Sequence, residues 1–392
     1  MPSPQPVPGM LRRPMPGRDP AEEHRASTPL ELFFDLCFVV AVGQASAQLA
    51  EQVIDGHIAQ GLGYYAAVFA AIWWAWMHFT WFASAYDNDD VPYRISVFVQ
   101  VAGALILAAG VPDAFHNDFS IITVGYVVMR IGLLSQWARA ARDDPDPARR
   151  HVAHRYVIGL GALQLCWIGR LFLPETLQLW AFLLLLAGEL LATIIAERGA
   201  PSAWHPEHIA ERYGLFTLIV LGESVAAATL AVQAGVETGH LMDLSLITLG
   251  GLLTVFTMWW MYFSRPTARL ITNNRQAFRW GYGHYLILAS AAAVGSGLEI
   301  ATHLLSHPGD ISRFAASWIF TAAVAVYLTT TWILHVRPHG HHAGRSWLHP
   351  ATALLILLTP FTGQPYLATG LLMTTLLVLS LRNDAHHPAQ AG

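Results

Sequence analysis

The sequence predicts an all-α, polytopic transmembrane helix bundle of about twelve helices. Of its 392 residues, 54% are hydrophobic and only 12% are charged, whereas an ordinary globular domain carries about 25% charged residues. So few charges cannot cover the water-facing surface of a chain this long. The apolar residues also fall in runs that approach the roughly 20 residues needed to cross a bilayer. Composition therefore excludes a typical soluble enzyme and a disordered chain.

Twelve apolar segments account for the predicted helices. The last two are short, and a single broken span there, giving eleven helices, is the alternative. In chain order the segments are 30–50, 60–85, 94–111, 118–138, 153–173, 176–196, 211–232, 243–263, 280–304, 312–335, 348–361 and 364–381.

The flanking stretches differ from the spans in composition. The first 28 residues contain seven prolines and no apolar run, which is typical of a disordered tail. The predicted organisation is a cytoplasmic tail, two transmembrane halves and a second cytoplasmic tail, at residues 1–28, 29–200, 201–382 and 383–392.

The arginines test this arrangement independently. All 22 basic residues are Arg, because the sequence contains no Lys. Cytoplasmic loops are enriched in arginine, and with the N-terminus inside, 19 of the 22 fall on the cytoplasmic side. The outside loops keep only Arg313, while Arg130 and Arg170 lie within predicted helices. We therefore expect a plasma-membrane protein with both termini in the cytoplasm.

The same counts exclude several kinds of chemistry. A retinal Schiff base, a pyridoxal-phosphate aldimine and a P-loop each need a lysine amine, and a net charge of −4 gives no nucleic-acid signal. We expect no cofactor and no metal site; the expected partners are the lipid bilayer and an unknown small solute or ion. Histidine tracts without fixed ligand spacing indicate only adventitious metal binding; they are His339, His341, His342, His386 and His387.

A weak internal similarity predicts two tandem six-helix repeats. The first span opens with Glu31 and reaches Gly43-Gln44-Ala45-Ser46, and the seventh opens with Glu211 and reaches Gly222-Glu223-Ser224. Tryptophans close the span that follows in each half. Repeats of six helices would run parallel, related by an axis along the membrane normal. The alternative is that apolar helices resemble one another by composition alone.

Polar side chains inside the predicted spans are the candidates for function. An ionisable side chain at a helix centre costs roughly 2.5–3.5 kcal/mol or more, so those that persist usually face the bundle interior. We predict no catalytic residue. The candidates for a proton, ion or substrate pathway are Glu31, Asp35, Gln44, His78, Arg130, Glu189, Glu211, Arg212, Glu223, His284 and Glu299.

Glu31 and Asp35 are four residues apart and share one helix face. Two carboxylates that close repel each other unless a cation or a proton lies between them. We expect a proton or cation site, or a docking point for an inward-facing arginine. For Glu31 the alternative is an acidic first turn favoured by the helix dipole.

Glu223 lies deep in its predicted span, about twelve residues or roughly 18 Å from the start. At that depth it is either paired with a buried cation or protonated, and both states suit a proton-coupled device. Arg130 is the available cation, with Glu189 competing for it. The alternative is a static ion pair that holds two helices in register.

Two stretches resemble a known family. Pro29–Val39, PLELFFDLCFV, resembles the N-terminal signature of the bacterial low-temperature-requirement protein A family, and His208–Ser224, HIAERYGLFTLIVLGES, resembles its central one. His284 with Gly297-Leu298-Glu299 fits a third, looser pattern. The resemblance covers roughly residues 26–382 and implies a polytopic plasma-membrane protein. The family name refers to growth in the cold and implies no substrate.

The function we expect is secondary transport of a small solute or ion, with two halves rocking about a midplane site. One alternative is a membrane sensor or structural protein whose ion pairs only stabilise the bundle. The other is an intramembrane enzyme acting on a lipid-like substrate, with Asp35, Glu223 and His78 or His284 as acid and base. No metal-ligand set, nucleophile elbow or phosphate motif in the sequence supports the enzyme.

Overall fold

The computed structural model describes residues 11–19, 22, 25–199, 202–238, 241–339 and 346–386. Within these ranges the chain is all-α without a β-strand, which confirms the predicted fold class. The helices are α1 (Pro29–Ile54), α2 (Ile58–Tyr86), α3 (Val91–Ala109), α4 (Val111–Ala114), α5 (Ser120–Asp143), α6 (Pro147–Arg170), α7 (Glu175–Ala196), α8 (Pro206–Thr238), α9 (Leu241–Phe263), α10 (Asn274–Ser306), α11 (Arg313–Thr331), α12 (Leu348–Leu358) and α13 (Pro365–His386).

Each of the twelve predicted spans coincides with one of these helices, and the four-residue helix α4 is the addition. Over the described part of the chain, nine helices are long and apolar enough to cross a membrane. The other three predicted spans correspond to α6, α8 and α12. Helix α12 has only 11 residues, and α6 and α8 carry several charged residues in their first turns.

Side-chain caps determine where many of the helices begin. Asp90, Asp146, Asn273 and Ser312 each accept a backbone N–H from the first turn of α3, α6, α10 and α11, respectively. Such a cap satisfies one of the four amide groups left unpaired at a helix start. Local sequence therefore sets these boundaries without help from tertiary packing.

The outer surface of the helices is apolar. On α7, for example, Trp180 and Leu184 are 69% and 73% exposed. Large apolar side chains exposed along whole helices are what a lipid-facing surface requires, since lipid tails, unlike water, do not penalise them. Seven of the eleven candidate polar side chains are instead buried.

Contacts divide the chain into two compact units. The first comprises Met1–Ala41 and Ala70–Arg212, and the second comprises Val42–Phe69 and Tyr213–Gly392. Because α1, α2 and α8 each contribute to both units, these units are not the predicted halves. The division into 29–200 and 201–382 stays a prediction.

Within each unit the helices have the same order of neighbours. In the first unit α3 packs on α5, α5 on α6 and α6 on α7, and α2 contacts α7 through Trp74 and Glu189. In the second unit α10 packs on α11, α11 on α12, α12 on α13 and α9 on α13. A tandem duplication predicts this correspondence, with α9 to α13 matching α2, α3, α5, α6 and α7.

The N-terminal stretch differs from the disordered tail that we expected, because its described residues make specific contacts. The amide of Arg18 donates to the carbonyl of Ala85 at 2.9 Å, and Met15 is fully buried. The amide of Gly17 donates to Asp144 at 3.1 Å. Residues 1–10 lie outside the described part. At the other end, α13 continues to His386, and the rest of the predicted C-terminal tail also lies outside the described residues.

Glycines allow two pairs of helices to approach closely. A Cβ at Gly125 of α5 would lie 2.6 Å from the backbone nitrogen of Leu107 and 2.7 Å from the carbonyl of Gly103, both on α3. On α9, a Cβ at Gly250 would overlap the backbone of Tyr366 on α13. Inside a bilayer the hydrophobic effect does not drive helices together, because lipid tails are as apolar as the side chains. Close backbone contact is therefore a main source of helix association in a membrane.

Gly125→Ala should therefore destabilise the protein. Overpacking against backbone atoms that cannot move away typically costs about 1–3 kcal/mol. The matched control is Gly169→Ala on α6, where a Cβ would meet nothing within 4 Å and should stabilise by up to about 1 kcal/mol. Thermal unfolding midpoints in detergent measure both, and equal midpoints for the two variants would contradict the close packing.

Candidate functional site

Asp35 and Arg212 form a fully buried ion pair in the first unit. A nitrogen of Arg212 on α8 lies 2.5 Å from Oδ1 of Asp35 on α1, and both side chains are 0% exposed. The indole N–H of Trp76 on α2 also donates to this oxygen, at 2.7 Å. The spacing of Glu31 and Asp35 predicts either a proton or cation site or a docking point for an arginine. The structure has an arginine at Asp35.

One turn before this pair, Glu31 meets His208. Nε2 of His208 lies 3.1 Å from Oε1 of Glu31, with both side chains buried. Because His208 and Arg212 are also four residues apart, α1 and α8 run parallel here and meet in two successive rungs. A matched four-residue step on two helices is the geometry that places both pairs on one face.

Glu31 also completes a capping box at the start of α1. The hydroxyl of Thr28 accepts the amide of Glu31 at 3.3 Å, and the amide of Thr28 donates to the Glu31 carboxylate at 2.7 Å. Pro29 occupies the first helical position, where its missing N–H has no cost. Glu31 is therefore both an acidic residue in the first turn of α1 and a partner in a buried ionic contact.

Arg25 and Asp87 extend the site beyond the helices. The Arg25 guanidinium donates to the carbonyls of Ser84 and Ala83 and lies 3.8 Å from Asp87. Burial lowers the pKa of Arg25, partly offset by the nearby charge of Glu31. Burial raises the pKa of Asp87 to about 6; Glu31 and Asp89 add to the increase, while Arg25 and Arg18 oppose it.

The charges of this site do not balance without a proton. Three carboxylates face two guanidinium groups, since Arg18 makes its 2.7 Å contact with Glu22 and lies 4.0 Å from Asp87. A proton on His208 or on one carboxyl group makes the set neutral. We call it the α1–α8 cluster; its members are Arg25, Glu31, Asp35, Asp87, His208 and Arg212.

Several buried polar atoms of the cluster lack a hydrogen bond to any described residue. They are Oδ2 of Asp35, Nε and Nη1 of Arg212, Nε of Arg25, Nδ1 of His208 and Oε1 of Glu31, the last of which has the ionic contact with His208. Each unmade hydrogen bond in a buried site costs about 1–3 kcal/mol. The cluster therefore has both donors and an acceptor with which to bind a small polar ligand or water.

In a second buried network of the first unit, the carboxylate is saturated with hydrogen bonds, whereas Nε of Arg130 and Nε2 of His78 have no hydrogen-bond partner among the described residues. Arg130 of α5 contacts Oε2 of Glu189 at 2.8 Å, and the same oxygen accepts from Trp74 at 3.1 Å. The other oxygen accepts from Trp167 at 3.2 Å, and His78 lies 3.3 Å from Arg130. Of the two carboxylates that compete for Arg130, Glu189 is the one that pairs with it.

In the second unit, Glu223 is half-buried on α8 and forms no ion pair with any described residue. A Cβ at Gly43 would lie 2.5 Å from its Oε1, so this glycine leaves room for the carboxylate. The neighbouring Ser224 donates to the carbonyl of Ala291 at 2.9 Å. Small and polar groups thus surround an acid that has no arginine partner.

His284 belongs to a separate aromatic cluster formed by α9, α10 and the turn that follows α11. Its Nε2 lies 3.0 Å from the hydroxyl of Tyr262 and 3.3 Å from Nε2 of His335. Its Nδ1 lies 2.7 Å from the carbonyl oxygen of Trp280. His284 and His335 are both 0% exposed.

The remaining predicted residues do not join these groups. Gln44 is exposed on α1, and Glu299 is half-buried on α10. Glu211 is half-buried and accepts the amide of Ser27 at 3.3 Å. These three positions therefore lie outside the buried networks of the described residues.

The sequence reasoning missed several partners of the buried acids and one acid, Asp87 of the α1–α8 cluster. Trp76, Trp74 and Trp167 supply N–H donors to buried carboxylates, although tryptophans in apolar helices ordinarily indicate interfacial belts. His208 had a usable signal, because it lies one turn before Arg212 as Glu31 lies one turn before Asp35. For His335 the sequence offers no such signal, because a single histidine near a helix end does not indicate which residue it contacts.

Asp35→Asn should strongly destabilise the protein, because it leaves Arg212 as an unpaired buried cation. Breaking one side of a buried pair costs about 3–5 kcal/mol. Adding Arg212→Gln removes the second charge and should recover part of the loss. Thermal midpoints in detergent measure this, with the exposed acid Asp113→Asn as control; a single variant as stable as wild type would contradict the pairing.

Asp87 should make stability depend on pH between about pH 4 and pH 7. Its pKa is raised in the folded state, so folding favours the neutral carboxyl group. That contribution is complete below the unfolded pKa near 4 and is lost as pH rises through about 6. The thermal midpoint of Asp87→Asn relative to wild type should therefore increase with pH. A difference that is constant across this range would contradict it.

Comparison with known proteins agrees with this architecture. The profile of the family described as bacterial low temperature requirement A protein (LtrA) matches residues 26–381. A relative from Rhizobium meliloti (strain 1021), named uncharacterized protein RA0937, is 26% identical over 394 residues, covering 92% of this chain and 90% of its own length. Both signatures that carry the resemblance, including the residues of the two rungs between α1 and α8, lie inside the matched range. The chain belongs to the bacterial low temperature requirement A family of integral membrane proteins.

Proposed function

We propose that this protein is a proton-coupled secondary transporter of a small solute or ion in the plasma membrane, with both termini in the cytoplasm. The observation that carries the proposal is the α1–α8 cluster, which is buried, has one carboxylate more than its guanidinium groups and leaves polar atoms unpaired. The steep arginine bias between the two sides supports the orientation.

The cluster has the chemistry of a coupling site. In a low-dielectric interior an unbalanced charge is costly, so the cluster favours one bound proton or cation. When that ion leaves, the Asp35–Arg212 contact is the interaction that can rearrange, because Oδ2 of Asp35 and two Arg212 nitrogens are available to new partners. Binding of a solute there and binding of the proton are thereby linked.

The arrangement of the helices supports movement of this site. Helices α1 and α8 open the two predicted halves, and the units share one order of helix neighbours. Repeated halves that rock about a site on discontinuous or matched helices are the usual construction of secondary transporters. Glu223, three turns after Arg212 on α8 and without an arginine, is a second proton carrier in this proposal.

A structural role is the second candidate function, and the Arg130–Glu189 network is the observation that favours it. Both oxygens of Glu189 are hydrogen-bonded, and a carboxylate with partners on both oxygens holds helices in register without needing to change. The two networks therefore predict different consequences for removing a buried carboxylate.

Transport is tested in proteoliposomes that contain a trapped pH-sensitive dye. A pH gradient is imposed, and pooled amino acids, sugars and inorganic ions are added in turn. Wild type should dissipate the gradient with at least one pool, while Asp35→Asn and Glu223→Gln should slow the dissipation. The matched control is Glu189→Gln, a buried carboxylate with partners on both oxygens, which should keep the wild-type rate after correction for folded protein.

Two results would contradict the proposal. Wild type that responds to no pool more than empty liposomes do would favour the sensor or structural role. Equal rates for wild type, Asp35→Asn and Glu223→Gln would remove both residues from the coupling path.

A further inference from the structure

We propose that His284, His335 and Tyr262 form a binding site for a late first-row transition-metal cation, with Zn²⁺ as the reference ion. The site lies within the second unit and is separate from the α1–α8 cluster. It goes beyond the transport proposal and does not depend on it.

The tautomer of His284 leaves a lone pair directed at its neighbours. Its Nδ1 lies 2.7 Å from the Trp280 carbonyl oxygen, and because a carbonyl only accepts, Nδ1 carries the proton. Nε2 is then an unprotonated ligand atom. A histidine that ligates a metal almost always donates its other N–H in this way, which orients the ring.

More polar atoms lie near Nε2 of His284 than its single lone pair can bind. Nε2 of His284 has one lone pair, yet the Tyr262 hydroxyl lies 3.0 Å away and Nε2 of His335 lies 3.3 Å away. One lone pair makes one strong hydrogen bond, and 3.3 Å is longer than the usual 2.7–3.2 Å range. Three polar atoms therefore converge where two are sufficient.

The separation fits two ligands of one tetrahedral ion. Nitrogen ligands at about 2.0–2.1 Å from Zn²⁺ in tetrahedral geometry lie roughly 3.3–3.4 Å apart. The rings of Tyr262 and His335 are also adjacent, with centroids 4.6 Å apart. The phenol of Tyr262 supplies the third ligand after releasing its proton to solvent, and the fourth position is left for water.

A conventional metal set is absent from the described part of the chain, where no three His, Cys, Asp or Glu side chains are placed to hold an ion. The third ligand here is a tyrosine, which such a set does not include. His335 lies in a π-helical turn, Trp332–Val336. Such turns are rare and often occur at functional sites.

The first unit provides an internal comparison. At the matching contact, between α3 and α5, Gln100 donates to Gln136 at 3.0 Å, an ordinary amide hydrogen bond. In the second unit two imidazoles meet, that of His284 on α10 and that of His335 in the π-helical turn that follows α11. The first unit thus has an amide pair at this position, whereas the second unit brings two possible metal ligands together.

The amide pair of the first unit suggests which variant to test. His284→Gln with His335→Gln recreates the amide pair of the first unit, so we expect it to fold. The matched control is His78→Gln, a buried histidine of the first unit that contacts Arg130 rather than this site. Every protein carries alanine at the histidines expected to bind metal adventitiously, which are His339, His341, His342, His386 and His387.

The purified full-length protein is stripped with a chelator, equilibrated with Co²⁺ and desalted. The reference protein and His78→Gln should each retain a single Co²⁺ per chain, displaced by Zn²⁺, with the visible absorption bands of a tetrahedral site. The double glutamine variant should lose the retained ion and the bands. Tyr262→Phe should keep an ion but shift the bands, because one ligand changes.

Equal retention by the reference protein and the double variant would overturn the proposal, as would no retention by either. If the double variant elutes as aggregate on gel filtration, X-ray absorption of the Zn²⁺-loaded reference protein decides instead. A ligand shell with scattering from two imidazoles supports the site, and a shell without imidazole scattering overturns it. None of these readouts depends on transport activity.

Discussion

A carboxylate buried in a bilayer-spanning helix must have a cation or a proton beside it, and Asp35 meets this requirement through Arg212. The requirement fixes how α1 and α8 meet, because the pair and the Glu31–His208 contact one turn earlier form only if the two helices run parallel in one register. Trp76 then places α2 beside the pair by donating to the same oxygen. The described N-terminal stretch joins through Arg25, whose guanidinium reaches the end of α2.

The two buried ionic networks of the first unit obey the same electrostatics but end in different states. Glu189 has partners on both oxygens, and a carboxylate bound in this way in a low dielectric resists rearrangement. Among the described residues, one oxygen of Asp35 has no hydrogen-bond partner, whereas in the Glu189 network the atoms without one are nitrogens, on Arg130 and His78; two nitrogens of Arg212 also have none. Similar composition therefore gives one network suited to holding helices together and another suited to binding and release.

In the second unit the helices contact one another mainly through small residues. Its close contacts come from glycine and serine, as where Ser46 contacts Ser296 at 2.9 Å, and its buried aromatic cluster contains no charged carboxylate. Small residues let backbones approach and need no partner outside the pair. Among the described residues of this unit, Glu223 and the contact of His284 with His335 and Tyr262 are the polar features on which the two proposals rest.

The sequence by itself determined the fold class, the spans and the identity of most buried charges. This is so because hydropathy over some 20 residues reflects the bilayer directly and because a charge inside a span must face the interior. It also placed Glu31 and Asp35 on one face, since helical periodicity is local. The sequence did not determine which charges pair. Arg130 was available to both Glu189 and Glu223, and nothing along the chain distinguished these two acids.

Only the tertiary structure decided which partner each charge has. The contacts between Asp35 and Arg212, and between Arg130 and Glu189, join residues far apart in sequence, and helix rotation and register decide them. The same holds for the indole donors and for His335, whose roles depend on neighbours from other helices. Periodicity states which face a residue occupies, but the residue opposite that face is set by how the helices pack.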